Sequence, residues 1–478
     1  MKQFIRYTIL LIITLTNFIS GYSQDSLSYY LEQAALNNPG VKAKYLEYSA
    51  ALEKVPQSGS LPDPDLQFGY LIKPMELMTG YQVADIRFMQ MFPWFGLLKN
   101  AKDEASQMAL AKFESFRDSK AQLYFDVKSS YYKVYRTLKE IAIAKKNMDI
   151  LHSLEQLTLI KFSTGSSGSS SGNKSSNTSS LQSSSSGVQA TGESNMKNQS
   201  TMGTSYGSSS AVKPAMASQG NGMGGAAGNG NNDMVNLLRV QIELNELENR
   251  IAFLQDQLAT DKASFNRFLN RAPSYIVFTG DSLIEAPIPS DILTLADSII
   301  NNPMVKMYKA ESDASAAKLK MVTRMGYPML GLGVNYTIIQ KFQGVTLAMN
   351  GKDMIMPMLS MTLPIYRKKE KAMRNEAELM RESATASAEN VINDLKVNYQ
   401  ETVQNLSDAD RRIKLFTSQA MLADKSLQLL ITSFSTGGTD FAEVLRMEQQ
   451  LLDYQFKQVE AVVDKNTSIA RLVYLTGN

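Results

Sequence analysis

Apolar residues recur at alternating intervals of three and four in three long parts of the chain. The stripes are Tyr124, Val127, Tyr131, Val134, Leu138 and Ile141; Leu237, Val240, Leu244, Leu247, Ile251, Leu254 and Leu258; and Leu406, Ala409, Ile413, Phe416, Ala420, Ala423, Leu427, Leu430 and Phe434. This spacing predicts long helices that pack as coiled coils and face water on another side. Proline is absent from Leu97–Thr164 and from Tyr366–Thr436, so each segment can form one helix of about 100 Å.

Two segments before each of the longest predicted helices alternate with a period of two, which predicts strands. The apolar positions are Leu66, Phe68, Tyr70 and Ile72; Ala84, Ile86 and Phe88; and Leu330, Leu332, Val334, Tyr336 and Ile338. In the fourth segment, Met354–Leu363, Met and Leu fill both faces. Each segment has about 9–11 residues, the length of a tilted strand that crosses a bilayer. One apolar and one polar face suit lipid and water, although a soluble hairpin is the alternative.

The chain also repeats itself. Leu36–Lys42 recurs as Ile300–Lys306, both with the core Asn-Asn-Pro, and Phe92-Pro93-Trp94 recurs as Leu363-Pro364-Ile365. Phe162-Ser163-Thr164-Gly165 recurs as Phe434-Ser435-Thr436-Gly437, and Asp233–Arg239 matches Asp440–Arg446. The first three pairs lie about 264 to 272 positions apart and keep their order, which indicates internal duplication. Because four strands are too few to close a barrel, several copies of the chain would have to share one, and three copies would supply twelve strands.

These patterns predict the division of the chain. Residues 1–23 have the positive start, short apolar segment and small residues of a signal peptide. The first structural repeat is predicted over 24–271 and the second over 272–478, with a linker at about 272–290. Residues 166–232 form an insert rich in Ser, Gly and Asn inside the first repeat, and its low apolar content predicts disorder. The second repeat has only Gly438 and Thr439 at the same place.

Composition limits the chemistry of the chain. There is no cysteine and only one histidine, His152, which excludes a disulfide framework, a thiolate metal site and a multi-histidine cage within one chain. The net charge of +3 gives no indication of nucleic-acid binding. The serines of the insert have no histidine or placed carboxylate beside them that could activate a nucleophile. No catalytic or cofactor-binding residue is predicted, and the chain is predicted not to be an enzyme.

The order of a signal peptide, a helix, two strands and a long helical hairpin, followed by the same elements again, resembles the TolC family of outer-membrane efflux and secretion channels. The repeated Asn-Asn-Pro, the segment Gln90–Gly96 and the Phe-x-x-Gly element followed by Asp-x-x-x-Leu are typical of that family. The resemblance covers the mature chain outside 166–232. It implies a mixed α and β fold, in which a homotrimer forms a twelve-stranded outer-membrane barrel continued by a periplasmic tunnel of coiled coils.

The resemblance also implies a function and assigns roles in that function to particular residues. The chain would be a passive conduit in a tripartite efflux pump, linked through a periplasmic adaptor protein to an inner-membrane pump. The turns at the adaptor-binding tip would be Phe162, Ser163, Thr164 and Gly165, and Phe434, Ser435, Thr436 and Gly437. Acidic rings that narrow the tip in the family match Asn236, Arg239, Glu443 and Arg446 here. Only Glu443 is acidic, so the hypothesis for this chain is a constriction of alternating Glu and Arg.

Two other functions remain open from the sequence. One is the exit duct of a type I protein secretion system, and the other is an exported periplasmic coiled-coil scaffold without channel activity. The strand–helix junction is most similar to the metal-efflux branch of the family, and the chain has 26 methionines, whose thioethers are soft ligands. Methionine is more often an apolar filler, and methionines on both faces of a strand weaken the metal interpretation, so no metal ligand is assigned.

Overall fold

The predicted helices and strands are present in a computed structural model, which describes residues 26–166, 229–280, 296–344, 348–436 and 438–477. The predicted signal peptide, most of the 166–232 insert, Gly437 and positions 281–290 of the linker lie outside the described residues. Two long helices with four strands between helical segments confirm the predicted fold class.

The elements follow one order twice: helical segments, two strands, one very long helix and a shorter helix. The first set is α1 Ser26–Asn37, α2 Pro39–Ser58, β1 Asp65–Leu77, β2 Gly80–Phe92, α3 Leu97–Ser166 and α4 Asn229–Phe268. The second set is a short 3₁₀ helix Ala296–Asn301, α5 Pro303–Met325, β3 Met329–Gln340, β4 Met354–Thr362, α6 Arg367–Ser435 and α7 Phe441–Thr476.

None of the helices in the described ranges combines the length and the apolar character that crossing a membrane requires.

The chain divides into two compact units, Met1–Asp149 with Glu246–Asn478, and Ile150–Asn245. The first unit contains the sheet, in which the strands lie in the order β1-β2-β3-β4 and every neighbouring pair is antiparallel. Consequently β2 and β3, which come from different halves of the sequence, pair at the centre. In the described chain β1 and β4 each pair on one side only.

Two hydrophobic cores in the first unit use corresponding elements of the two halves. One contains Tyr30 of α1, Tyr131 and Val134 of α3, and Phe265 of α4 among its buried residues. The other contains Val305 of α5, Leu395 and Leu406 of α6, and Leu472 of α7. The buried positions of α6 follow the predicted stripe: Leu406, Ala409, Ile413, Ala423, Leu427 and Phe434 are all buried. Each half therefore packs a returning helix against its longest helix, as the heptad-like spacing predicts.

The repeated Asn-Asn-Pro motif joins the start of one helix to the end of another. Asn38 caps α2: its Oδ1 accepts hydrogen bonds from the backbone N–H of Gly40 (2.9 Å) and Val41 (3.2 Å). Its Nδ2 donates to the carbonyl of Phe268, the last residue of α4, at 3.0 Å. Helix ends leave such groups unpaired, so one amide side chain satisfies both ends.

The second copy of the motif forms the same arrangement at a more buried position. Asn302 Oδ1 accepts from the N–H of Met304 at 2.9 Å, and its Nδ2 donates to the carbonyls of Leu475 (3.1 Å) and Tyr474 (3.3 Å) near the end of α7. Asn302 is 1% exposed. The helix then ends at Gly477 with φ 71°, the left-handed conformation that glycine adopts without strain. The sequence repeat is thus also a repeat of hydrogen bonding.

We expect Asn302→Ala to destabilise the protein more than Asn38→Ala does. The substitution at 302 removes a helix cap and leaves buried carbonyls unpaired, which together cost about 2–3 kcal/mol, whereas the more exposed cap at 38 is worth about 1 kcal/mol. Thermal unfolding followed by the helical circular dichroism signal would measure the order of the two midpoints. Asn301→Ala, at an exposed neighbouring position, is the matched control, and an equal loss in all three variants would contradict the role of the cap.

Candidate functional site

The four-stranded sheet has two chemically different faces. The apolar face is formed by rows of paired residues across the strands: Leu66, Phe88, Val334 and Pro357; Phe68, Ile86, Tyr336 and Ile355; and Tyr70, Ala84 and Ile338. Its side chains are largely exposed, with Phe68 at 69% and Leu359 at 74%. A contiguous exposed apolar surface of this kind marks contact with lipid or another apolar partner.

The opposite face, here called the polar face, carries small, polar and thioether side chains. Its rows are Gly69, Asp85, Thr337 and Met354; Gln67, Arg87, Asn335 and Met356; Asp65, Met89, Gly333 and Met358; and Met91, Gly331 and Ser360. Alternation in the sheet thus separates lipid-compatible from water-compatible side chains, as the sequence predicts.

The fourth strand alternates more regularly than its composition indicates. Met354, Met356 and Met358 all lie on the polar face, and Met361 lies on the apolar face beside Leu330. Successive residues of a strand point to opposite faces, and the pairing with β3 shows which of the two faces of β4 belongs to the polar face of the sheet. Methionine thus occurs on both faces of this strand, as the sequence indicates, but three of its four methionines lie on the polar face.

Glycines on the polar face leave room for the side chains of neighbouring strands. A Cβ atom at Gly331 would lie 2.6 Å from Met91 Sδ, and one at Gly333 would lie 2.7 Å from the carbonyl oxygen of Phe88. A Cβ at Gly69 would likewise collide with the carboxylate of Asp85. At Gly331, side chains of both neighbouring strands, Met91 of β2 and Ser360 of β4, therefore lie over the backbone of β3.

The second of the two predicted tips, at the end of α6, is a tight turn in the first compact unit. The N–H of Gly438 donates to the carbonyl of Ser433 at 2.9 Å, and the Ser433 and Thr439 hydroxyls are hydrogen-bonded at 2.5 Å. Asp440 caps α7 by accepting from the N–H of Ala442 at 3.4 Å. Beneath the turn, the rings of Phe434 and Phe441 pack with centroids 5.0 Å apart, and both residues are buried. The buried contact between Phe434 and Phe441 therefore stabilises the turn, and Ser435 and Thr436 are exposed on its surface.

The two predicted gate residues of this tip contact each other within one helix. Glu443 and Arg446, three positions apart on α7, form an ion pair, and the side chain of Arg446 is 66% exposed. The Glu443 carboxylate raises the pKa of Arg446. An exposed pair with this spacing contributes little to stability. The guanidinium of Arg446 is mostly exposed and the Glu443 carboxylate is partly exposed, so the pair can be reached by another chain.

The first tip belongs to the second compact unit. Ser163 is exposed and its Oγ donates to the carbonyl of Ile160 at 2.8 Å, whereas Phe162 is half-buried. Thr164 and Gly165 are still helical, since α3 continues to Ser166. Asn236 is buried and Arg239 is exposed on α4.

The two copies differ in how the returning helix begins. In the second copy the helix starts after the cap Asp440, but in the first copy α4 starts at Asn229, four residues before the matching Asp233. The short Gly438-Thr439 link therefore places the start of α7 directly at its cap, whereas α4 is already helical at Asn229, where the described residues resume.

Within the described ranges, no group of three His, Asp or Glu residues is placed to bind a metal ion. His152, the one histidine of the chain, has a half-exposed side chain with Nδ1 3.5 Å from the Glu155 carboxylate. That Met89 and Met91 of β2 share a face with Met354, Met356 and Met358 of β4 depends on strand pairing, which the sequence alone does not give.

Comparisons with known proteins give the fold. No family model matches the chain, and no curated protein matches it. Among solved structures, CusC is 14% identical with a TM-score of 0.67, covering 95% of this chain and 93% of its own. VceC of Vibrio cholerae is 12% identical (TM-score 0.65, covering 95% and 96%), and open-state MtrE of Neisseria gonorrhoeae is 11% identical (TM-score 0.64, covering 95% and 89%). All three are TolC-family outer-membrane channels, so the predicted resemblance in fold is confirmed over most of the chain.

Proposed function

We propose that the chain is the outer-membrane subunit of a trimeric export duct. The observation that carries the proposal is the sheet: it has one exposed apolar face, one polar face and two open edges. Three copies paired edge to edge would give a twelve-stranded barrel with lipid outside and water inside. The fold shared with known outer-membrane channels supports this assembly.

The helices support a duct that extends away from the membrane. α6 has 69 residues, about 100 Å at 1.5 Å per residue, and its buried stripe is narrow. Three copies of the two long helices with their returning helices would form a polar-walled tunnel in the periplasm. A passive conduit of this kind needs polar walls and no reaction chemistry.

The tips supply the proposed contact with the rest of an efflux pump. Ser435 and Thr436, and Ser163 in the first copy, are exposed polar residues at or near helix ends, suited to a hydrogen-bonded contact with a helical partner. We infer that a periplasmic adaptor protein binds there and couples the duct to an inner-membrane pump. The residues 166–232 next to the first tip would then influence which adaptor pairs with the duct.

The purified protein is expected to form trimers and to conduct ions in a planar lipid bilayer. A water-filled barrel lined by the polar face would give a steady conductance without any energy source. A protein that remains monomeric, or that leaves the outer membrane on washing with salt, would contradict the proposal and favour a periplasmic scaffold.

An arginine introduced on one face or on the other face of the same strand tests which face contacts lipid. Leu359→Arg, on the apolar face of β4, should destabilise the membrane-inserted protein by about 2–4 kcal/mol, because an arginine near the bilayer midplane is poorly solvated. Met356→Arg, on the polar face of the same strand, should cost much less. Guanidinium titration of the folded fraction in lipid vesicles measures both, and equal costs would show that the two faces are not divided between lipid and water.

The gate hypothesis concerns Glu443 and Arg446, with Asn236 and Arg239 in the first copy. If these charges narrow the tip, Arg446→Ala combined with Arg239→Ala should change single-channel conductance at low salt, where electrostatic barriers are least screened. Arg411→Ala is the matched control, because Arg411 forms the same kind of exposed pair with Asp408, three positions earlier on α6. Unchanged conductance in the double variant would reject the gate.

A further inference from the structure

The methionines of the sheet are concentrated on its polar face. In the regular part of the sheet this face holds Met89, Met91, Met329, Met354, Met356 and Met358, whereas the apolar face holds Met361. Methionine used as an apolar filler would be expected on the face that meets lipid. The opposite distribution therefore needs a different explanation.

Two of these thioethers converge on one point. Met89 Sδ lies 3.4 Å and Met91 Sδ lies 3.8 Å from the hydroxyl oxygen of Ser360, which is two strands away. The two sulfurs can converge because Gly331, between Met91 and Ser360 in the register, has no side chain. Even an alanine at 331 would place its Cβ 2.6 Å from Met91 Sδ.

A third methionine lies within reach of the same point. Met358 and Met89 pair with Gly333 from opposite sides, so no side chain of β3 stands between them. Strands are spaced about 4.8 Å apart, and two methionine side chains can span the two intervals. Met89, Met91 and Met358 are all half-buried, hence still open to solvent on one side.

The charges around the three thioethers permit a cation. Asp65 pairs with Met89 in the register, and Asp85 lies on the same face of β2, with Arg87 between Asp85 and Met89. On this face of β1 and β2, two carboxylates and one guanidinium sum to a net negative charge, which does not oppose the binding of a cation. Thioether ligands select soft ions, of which Cu(I) and Ag(I) are the monovalent examples, over hard ions such as Mg²⁺.

We propose that Met89, Met91 and Met358 form a binding site for a soft monovalent cation, Cu(I) or Ag(I), on the wall of the duct. The inference deepens the proposed function and rests on it, because it places the polar face on the water-filled side of the barrel. The three side chains are half-buried, so a bound ion would remain accessible to solvent and could be released along the duct. Soft metal ions would accordingly be one substrate class of the export system.

The site can be tested in the full-length purified protein whether or not it conducts. The protein is labelled with ¹³C-methyl methionine and titrated with silver nitrate in chloride-free buffer, with assignments from single Met→Leu variants. The signals of Met89, Met91 and Met358 are expected to move together at the first equivalent per chain. Combined Met89→Leu and Met91→Leu substitutions, which nearly conserve volume, should weaken silver binding at least tenfold and abolish the shift of Met358.

Matched controls separate this site from general thioether binding. Met361→Leu, on the apolar face of the same strand as Met358, should leave the titration unchanged. If Met361 or Met196, Met202, Met216 and Met223 of the insert respond at the same silver concentration, or if the double variant binds like the original protein, the site is overturned. Magnesium nitrate should cause no shift.

Bilayer recordings connect the site to the duct. In potassium nitrate, micromolar silver is expected to reduce the current of the original protein and of Met361→Leu, but not that of the double variant. An equal reduction in all three would overturn the position of the site on the conducting wall. Absence of any current would instead reject the proposed function, and the methionine titration would still decide whether the cation site exists.

Discussion

The open edges of the four-stranded sheet constrain everything else about this chain. The outward N–H and C=O groups of β1 and β4 have no partner strand in the described protomer. Inside a bilayer each unpaired backbone group costs several kcal/mol, so an isolated four-stranded sheet is excluded there. In water, the exposed apolar face would favour aggregation. Edge-to-edge pairing of three copies removes both problems at once, and for this reason assembly, and not the single chain, is the functional unit that we propose.

Below the sheet, the long helices depend on a second repeated interaction. Asn38 and Asn302 each cap the start of one helix and bind the carbonyls at the end of another. Because α2 and α5 lead directly into β1 and β3, these asparagines tie the returning helices α4 and α7 to the segments that enter the sheet. A single residue type, repeated once by duplication, thus sets the position of each helix pair relative to its strands within the first compact unit.

Much of this architecture follows from local patterns. The stripe from Leu406 to Phe434 predicts the buried side of α6 because a coiled-coil face is a property of one helix. The alternation from Leu330 to Ile338 likewise predicts the apolar face of β3. The sequence did not reveal that α4 is already helical at Asn229, because the match of Asp233 with the cap Asp440 predicts a later start. Nor did it reveal that Asn38 and Asn302 hold distant carbonyls, since their partners lie about 170 to 230 positions away.

The methionines show the same difference between what the sequence of one strand predicts and what depends on the pairing of strands. Alternation places Met354, Met356 and Met358 on one face of β4, but only the register with β3 shows that Met89 and Met91 share this face. The space in which Met91 approaches Ser360 exists because Gly331 lies in the central strand β3, and Gly333 is the register partner of both Met89 and Met358. Glycine inside a strand costs about 0.5–1 kcal/mol relative to alanine. Two such residues beside three methionines are a poor choice for strand stability alone. They are a reasonable one if side chains of the neighbouring strands must meet above β3, and this is the condition that a thioether site on the duct wall imposes.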